Sequence, residues 1–188
     1  MREIILSASV SLVGRGDYYK TSNPFLIQCA VRELVIAVIR CQKIVWGGHP
    51  SITPMIWTIC EDLNVDYSEK VILYQSRYFE DRFPEDNKRF NNLILTDSIV
   101  GDQEASLLLM RRERLSRKNL CAAVFIGGME GVKEEYHLFR QYHSHETVLP
   151  VAAPGGAALE LAKELGHYDE SHLPSIDFAS LFHKNLKF

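Results

Sequence analysis

At 188 residues, 46% apolar and 24% charged, the chain has the material for one sizeable hydrophobic core and needs no metal or disulfide staple. Its net charge of -3 and dispersed basic residues argue against an electrostatic grip on DNA or RNA. No window approaches the roughly 20 apolar residues of a membrane span, and Met1-Arg2-Glu3 leads into a short apolar run rather than a secretion signal. The expectation is a single cytoplasmic domain spanning 1–188, without membrane association. Cys29, Cys41, Cys60 and Cys121 are widely separated in apolar stretches and read as reduced, buried core residues.

Glu3–Ser9 is an apolar run short enough for a buried strand. Asn23-Pro24 combines a capping side chain with proline at the first helical position. Ile27, Ala30, Val31, Leu34, Val35 and Val38 then trace one face of a helix that ends near Arg40. A second strand is predicted at Lys43–Trp46. Thr53-Pro54 repeats the cap-and-proline signature before a helix with Ile56, Ile59, Cys60 and Leu63 on its apolar stripe. Strands at Val71–Tyr74 and Leu93–Thr96 flank the polar stretch Arg77–Asn92, read as a long loop. A helix over about 102–117, a strand at Ala122–Ile126, a helix over about 131–142, and a strand at Val148–Val151 follow. The next helix, 156–165, is closed by Gly166 as a left-handed cap. In the tail, 167–188, Phe178, Leu181, Phe182 and Leu186 recur at near-helical spacing, which suits a docking helix or a cover for a partner surface. Strands alternating with amphipathic helices imply right-handed crossovers and an α/β, Rossmann-like three-layer fold with a mainly parallel sheet.

Three strand-to-turn junctions carry paired glycines: Gly47-Gly48-His49-Pro50, Gly127-Gly128-Met129-Glu130-Gly131 and Gly155-Gly156 after Pro154. In a parallel sheet all three fall on the carboxyl edge, where open α/β folds bind ligands. Glycine lets backbone amides approach a phosphate, and a following helix adds unpaired N–H groups and about half a positive charge. Glycine also relieves tight turns without any ligand. Neither the G-x-G-x-x-G fingerprint after the first strand nor a Gly-Lys-Ser/Thr P-loop occurs, which argues against an ordinary dehydrogenase or ATPase.

The stretch from Arg117 through Gly127-Gly128-Met129-Glu130-Gly131 to Glu134-Glu135 resembles the SLOG superfamily. That superfamily unites the Smf/DprA proteins with the LOG-type nucleotide phosphoribohydrolases once called lysine decarboxylases. The LOG motif has an arginine before the strand and a turn reading P-G-G-x-G-T-x-x-E. Aligning the paired glycines without a gap puts Arg117 at the arginine and Glu134 at the final glutamate. Ile126 replaces the proline, Glu130 the third glycine, and Gly131 the threonine. The strand end Leu6-Ser7-Ala8-Ser9 and the two turns at 47–50 and 127–131 look more like the SLOG domains found beside TIR and sirtuin domains or in TRPM channels. That likeness implies binding of an ADP-ribose-related or cyclic nucleotide signal, with no cofactor implied.

Arg117 is suited to bidentate pairing with phosphate, although the run Arg111, Arg112, Arg114, Arg117, Lys118 equally describes a solvated helix face. Glu134 suits acid or base work or a ribose hydroxyl, but beside Glu135 it also fits a surface charge near a helix start. Glu130 lies within its turn. His49 offers a hydrogen bond or proton transfer, or merely shapes its turn. Ser7, Ser9 and Thr53 bring hydroxyls, and Met129 lies within the Gly127–Gly131 turn. Arg15 in Gly14-Arg15-Gly16-Asp17 could close over an anion, with Arg77 a weaker candidate of the same kind. His143 and His145 lack the companions of a zinc site, so no metal site is expected.

The leading expectation is binding or sensing of a nucleotide-derived small molecule, with homo-oligomerisation and a separate effector protein as partners implied by the resemblance. The alternative is LOG-like hydrolysis of an N-glycosidic bond, with Glu134 and Arg117 as the catalytic pair. A structural or nucleic-acid-binding role related to Smf/DprA is a third reading, which the low basicity disfavours.

Overall fold

In the computed structural model, which describes residues 1–168 and 174–186, the strands are β1 (Glu3–Ser9), β2 (Lys43–Trp46), β3 (Val71–Ser76), β4 (Leu93–Thr96), β5 (Leu120–Gly127) and β6 (Thr147–Val151). The helices are α1 (Pro24–Val38), α2 (Thr53–Asp62), α3 (Tyr67–Lys70), α4 (Gln103–Leu115), α5 (Glu130–Tyr142), α6 (Gly156–Glu164) and α7 (Phe178–Asn185). The strands form one sheet in the order β4-β3-β2-β1-β5-β6, and every pairing is parallel.

Alternation along the strands sends side chains to two helical layers. Ile4, Leu6, Ile44, Trp46, Val124 and Ile126 pack with buried residues of α1, α2 and α7. Ile5, Val45, Ile72, Ala123 and Phe125 pack with α4, α5 and α6. Ser7 and Ser9 share the parity of Ile5 and therefore face the second layer. The chain adds strands outward from β1 to β4 and then returns to place β5 on the other side of β1. The carboxyl ends of β1 and β5 thus flank the topological switch point, the usual ligand position in such sheets.

Local chemistry explains the element ends. Asn23 accepts a hydrogen bond from the Leu26 N–H at 3.1 Å, and Asp102 accepts from Ala105 at 2.9 Å; each cap contributes about 1 kcal/mol. Thr53 departs from its expected capping role. It is fully buried as the first residue of α2, accepting from Trp46 Nε1 and donating to the His49 carbonyl, both at 3.1 Å. Gly166 takes φ +69° after α6, as its capping role requires.

Two expectations are corrected. All four cysteines are free, but only Cys60 is buried; Cys29 and Cys121 are half-buried and Cys41 is exposed, the last because it falls in the turn after α1 where its apolar neighbours no longer dictate a face. The 77–92 segment is not a plain loop but two short 3-10 turns, Arg77–Arg82 and Glu85–Arg89. The tail supplies α7, whose Phe178 and Phe182 are buried against the α1 side of the sheet; its portions at 169–173 and 187–188 lie outside the described residues. Among the described residues no helix is long and apolar enough to cross a membrane.

Candidate functional site

A cavity of about 920 Å³ opens at the carboxyl edge of the sheet. Ser7 and Ser9 of β1, the Gly47–Pro50 turn after β2, and Gln75 and Ser76 of β3 form its base, with Met129, Glu130 and Gly131 entering from the start of α5. α4 contributes Leu107, Met110, Arg111 and Arg114; their i, i+3, i+4, i+7 spacing places all four on one helical face.

Arg114 is 2% exposed, and its Nη2 lies 2.6 Å from the Glu135 carboxylate. Arg111 Nε is 3.5 Å from the same carboxylate, while its Nη1 pairs with Glu134. Burial pushes the Glu135 carboxyl up, but Arg114, then Arg111 and a hydrogen bond from Ser7, outweigh it and hold the group below its ordinary value. Glu135 is therefore an anion at neutral pH. The turn glycines make room for these cations. A Cβ on Gly47 would come within 1.9 Å of Arg114 Nη1, and one on Gly131 within 2.7 Å of Arg111 Nη2.

The Gly48 turn is fastened by Gln75, whose Nε2 donates to the carbonyls of Gly47 and Gly48 at 3.3 and 3.2 Å. His49 Nδ1 lies 2.8 Å from Ser51 Oγ. Burial, and secondarily the charge of Arg15, lower the His49 pKa, so the imidazole is neutral at neutral pH. Arg15 is exposed and flanked by Gly14 and Gly16, both at positive φ. Further along the same 10–23 strap between β1 and α1, the Tyr18 hydroxyl donates to Glu130 Oε2 at 2.5 Å. That bond, with burial, pushes the phenol up to about 12. Met129 occupies the N-cap position of α5 without a side-chain cap, leaving the first-turn N–H groups without the usual side-chain acceptor.

Of the residues singled out by sequence, Ser7, Ser9, Arg15, Gly47, Gly48, His49, Met129, Glu130 and Gly131 line this cavity. The others lie outside its lining, each for a physical reason. Gly127 and Gly128 permit close packing: a Cβ on Gly127 would meet Ile27 at 2.6 Å, and one on Gly128 would meet Val132 at 2.3 Å. Gly155 and Gly156 pack on the strap, where a Gly155 Cβ would sit 1.9 Å from the Thr21 carbonyl and the Gly156 N–H donates to Thr21 Oγ1 at 3.1 Å. Thr53 is the buried bracket already described. Arg77 is exposed and pairs with Glu80 at 3.2 Å.

Arg117 lies at the opposite, amino edge of the sheet. It donates to both Glu3 carboxylate oxygens at 2.7 Å and to the Tyr74 hydroxyl at 2.9 Å. Glu134 turns outward with half of its side chain exposed. The cavity instead receives Glu135, together with Arg111 and Arg114. Their signal is helical phase: Val132, Glu135 and Phe139 share the inner face of α5, and 107, 110, 111 and 114 that of α4. Among the described residues no cluster of three metal-ligating side chains occurs.

A family model described as the SLOG cluster3 family matches residues 17–186. No curated protein matches the chain. Among solved structures, the X-ray structure of TM1055, a Northeast Structural Genomics Consortium target, is similar with a TM-score of 0.52 and 12% identity, over 99% of this chain and 100% of that one. At this identity the likeness concerns the fold.

Proposed function

The chain belongs to the SLOG cluster3 family, and from that premise we propose that its cavity binds a nucleotide-derived ligand of the ADP-ribose-related or cyclic nucleotide kind. The observation that carries this reading is the convergence of Ser9, His49 and the uncapped start of α5 on one cavity at the switch point. The Ser9 hydroxyl and the N–H groups that precede Val132 in α5 are donors suited to phosphate oxygens; the Ser7 hydroxyl is engaged by Glu135, and the Val132 N–H donates to the Met129 carbonyl at 2.9 Å. The volume, about 920 Å³, is at the upper end of the range of about 300–1,000 Å³ for small-molecule sites, so the cavity has room for more than a phosphate.

The charges lining the cavity favour a weakly charged ligand. Arg15, Arg82, Arg111 and Arg114 are balanced by Asp17, Glu130, Glu135 and Glu160, and His49 is neutral. A phosphodiester or diphosphate diester suits this balance better than a triphosphate, whose charge would lack counterions. Arg15, between two glycines, is the mobile cation that closes over the ligand.

A second reading, N-glycosidic hydrolysis, would use Glu135, an ionised carboxylate inside the cavity, as the base toward water, although its pairing with Arg114 and Arg111 lowers its basicity. Chromatography of AMP, ADP-ribose and cyclic ADP-ribose isomers after incubation separates the two. Retention of unchanged ligand supports binding. Release of free base that disappears in Glu135→Gln supports hydrolysis. Neither retention nor turnover across the panel refutes both.

A further inference from the structure

The 77–84 segment that follows β3 brings aromatic surface to the cavity. Phe79 and Phe83 are half-buried and line it, with Pro84 beside them and Leu107 and Met110 of α4 completing the wall. The polar donors come from β1, the β2 turn and α5. β2 separates β3 from β1, so the two ends lie two strand spacings apart, about 10 Å. The segment is anchored before any ligand arrives. Ser76 Oγ accepts from the Tyr78 N–H at 3.3 Å, the Tyr78 and Phe79 rings meet edge to face at 5.0 Å, and the backbone kinks at Phe79.

Resting on the nucleotide reading above, the geometry points to a base-recognition slot: Phe79 and Phe83, with Met110 on the same wall, hold a heteroaromatic ring while its ribose and phosphates run toward Ser9 and the start of α5. Phenyl faces and a thioether pack well on a flat π system and discriminate poorly against a particular base. A wholly apolar occupant would leave the polar end of the same cavity unfilled. The ligand therefore enters with its base at the β3 side and its charge at the switch point.

Matched probes test the slot: ADP and ribose 5-diphosphate, which lacks the base, titrated calorimetrically into the full chain. ADP binds wild type about tenfold or more tightly than ribose 5-diphosphate, the scale of one stacked base. Phe79→Ala and Phe83→Ala remove most of that gap and leave ribose 5-diphosphate affinity unchanged. Phe79→Leu and Phe83→Leu, which retain apolar volume but lose the ring, narrow the gap in the same direction and serve where the alanine variants do not fold. Equal binding of the two probes by wild type, or an equal weakening of both by the variants, overturns the slot but leaves the phosphate end standing. Failure of both probes to bind wild type overturns the slot, and ADP-ribose titrated in the same assay then decides the nucleotide reading, which its failure to bind overturns as well.

Discussion

Gly47→Ala tests whether the turn glycine exists to admit Arg114. Gly47 is not among the glycines at positive φ, so alanine introduces no backbone strain there and its effect arises from contact. The new Cβ would stand 1.9 Å from Arg114 Nη1, and an ordinary contact of about 3.5 Å requires the guanidinium to retreat by about 1.6 Å. A surface arginine would swing away freely. Arg114 is 2% exposed and paired with Glu135 at 2.6 Å, so it moves only by disturbing that pair. Overpacking costs about 1–3 kcal/mol, and complete loss of a buried partner about 3–5 kcal/mol. A partial displacement places the cost at about 3 kcal/mol, equivalent to a fall in Tm of about 6–12 °C for a chain of this size. Scanning calorimetry measures it, and the same substitution in an Arg114→Met background should cost less than about 1 kcal/mol. A Gly47→Ala protein melting within about 1 °C of wild type, or an equal loss in both backgrounds, refutes the reasoning.

Glu135→Gln leaves Arg114 without its anion and costs about 3 kcal/mol at pH 7 in urea unfolding. Because the folded Glu135 carboxyl lies below its free value, its stabilisation is complete above the unfolded pKa of about 4.3 and fades as pH falls through the folded value. The variant should lack that part of the wild-type acid slope, and identical slopes would contradict the pairing. The His49 ring, lowered by partial burial and then Arg15, should titrate by NMR with a midpoint below about 6.5; a midpoint at or above it contradicts a half-buried neutral imidazole. Arg117→Ala strips the buried Glu3 of its partner and should destabilise by about 3 kcal/mol while ligand affinity in the folded protein stays unchanged. A selective loss of affinity would return Arg117 to the site.

The alternation of strands and helices was legible because apolar period and cap chemistry agree along the chain. All six predicted strand cores stand out as short apolar runs, and the helix at 24–38 carries both signals. Boundaries depended on tertiary pairing instead: β3 continues through the polar Gln75 and Ser76 because they align with Leu95 and Thr96 of β4. The residues around the cavity were harder to read. Counting from the glycine pair selects Glu134, but one residue turns an α-helix by about 100°, and it is Glu135 that shares the inward face with Val132 and Phe139. Likewise, a run of arginines looks solvated until its phase with Leu107 and Met110 is considered. The paired glycines at 127–128 and 155–156 serve chain packing that only the folded contacts with Ile27, Val132 and Thr21 disclose. The contribution of the 77–84 segment came from its sharing one cavity with α4, which no local pattern encodes.

The most direct test of the central claim is calorimetric titration of ADP-ribose into wild type and Arg15→Glu. Arg15 is exposed, so its reversal should leave Tm unchanged while placing an anion at the cavity mouth. Saturable binding by wild type, weakened about tenfold or more in the variant, a loss of about 1.4 kcal/mol or more, is the predicted result. No binding by wild type, or equal affinity in the two proteins, would contradict an anionic nucleotide-derived ligand seated in this cavity beneath Arg15.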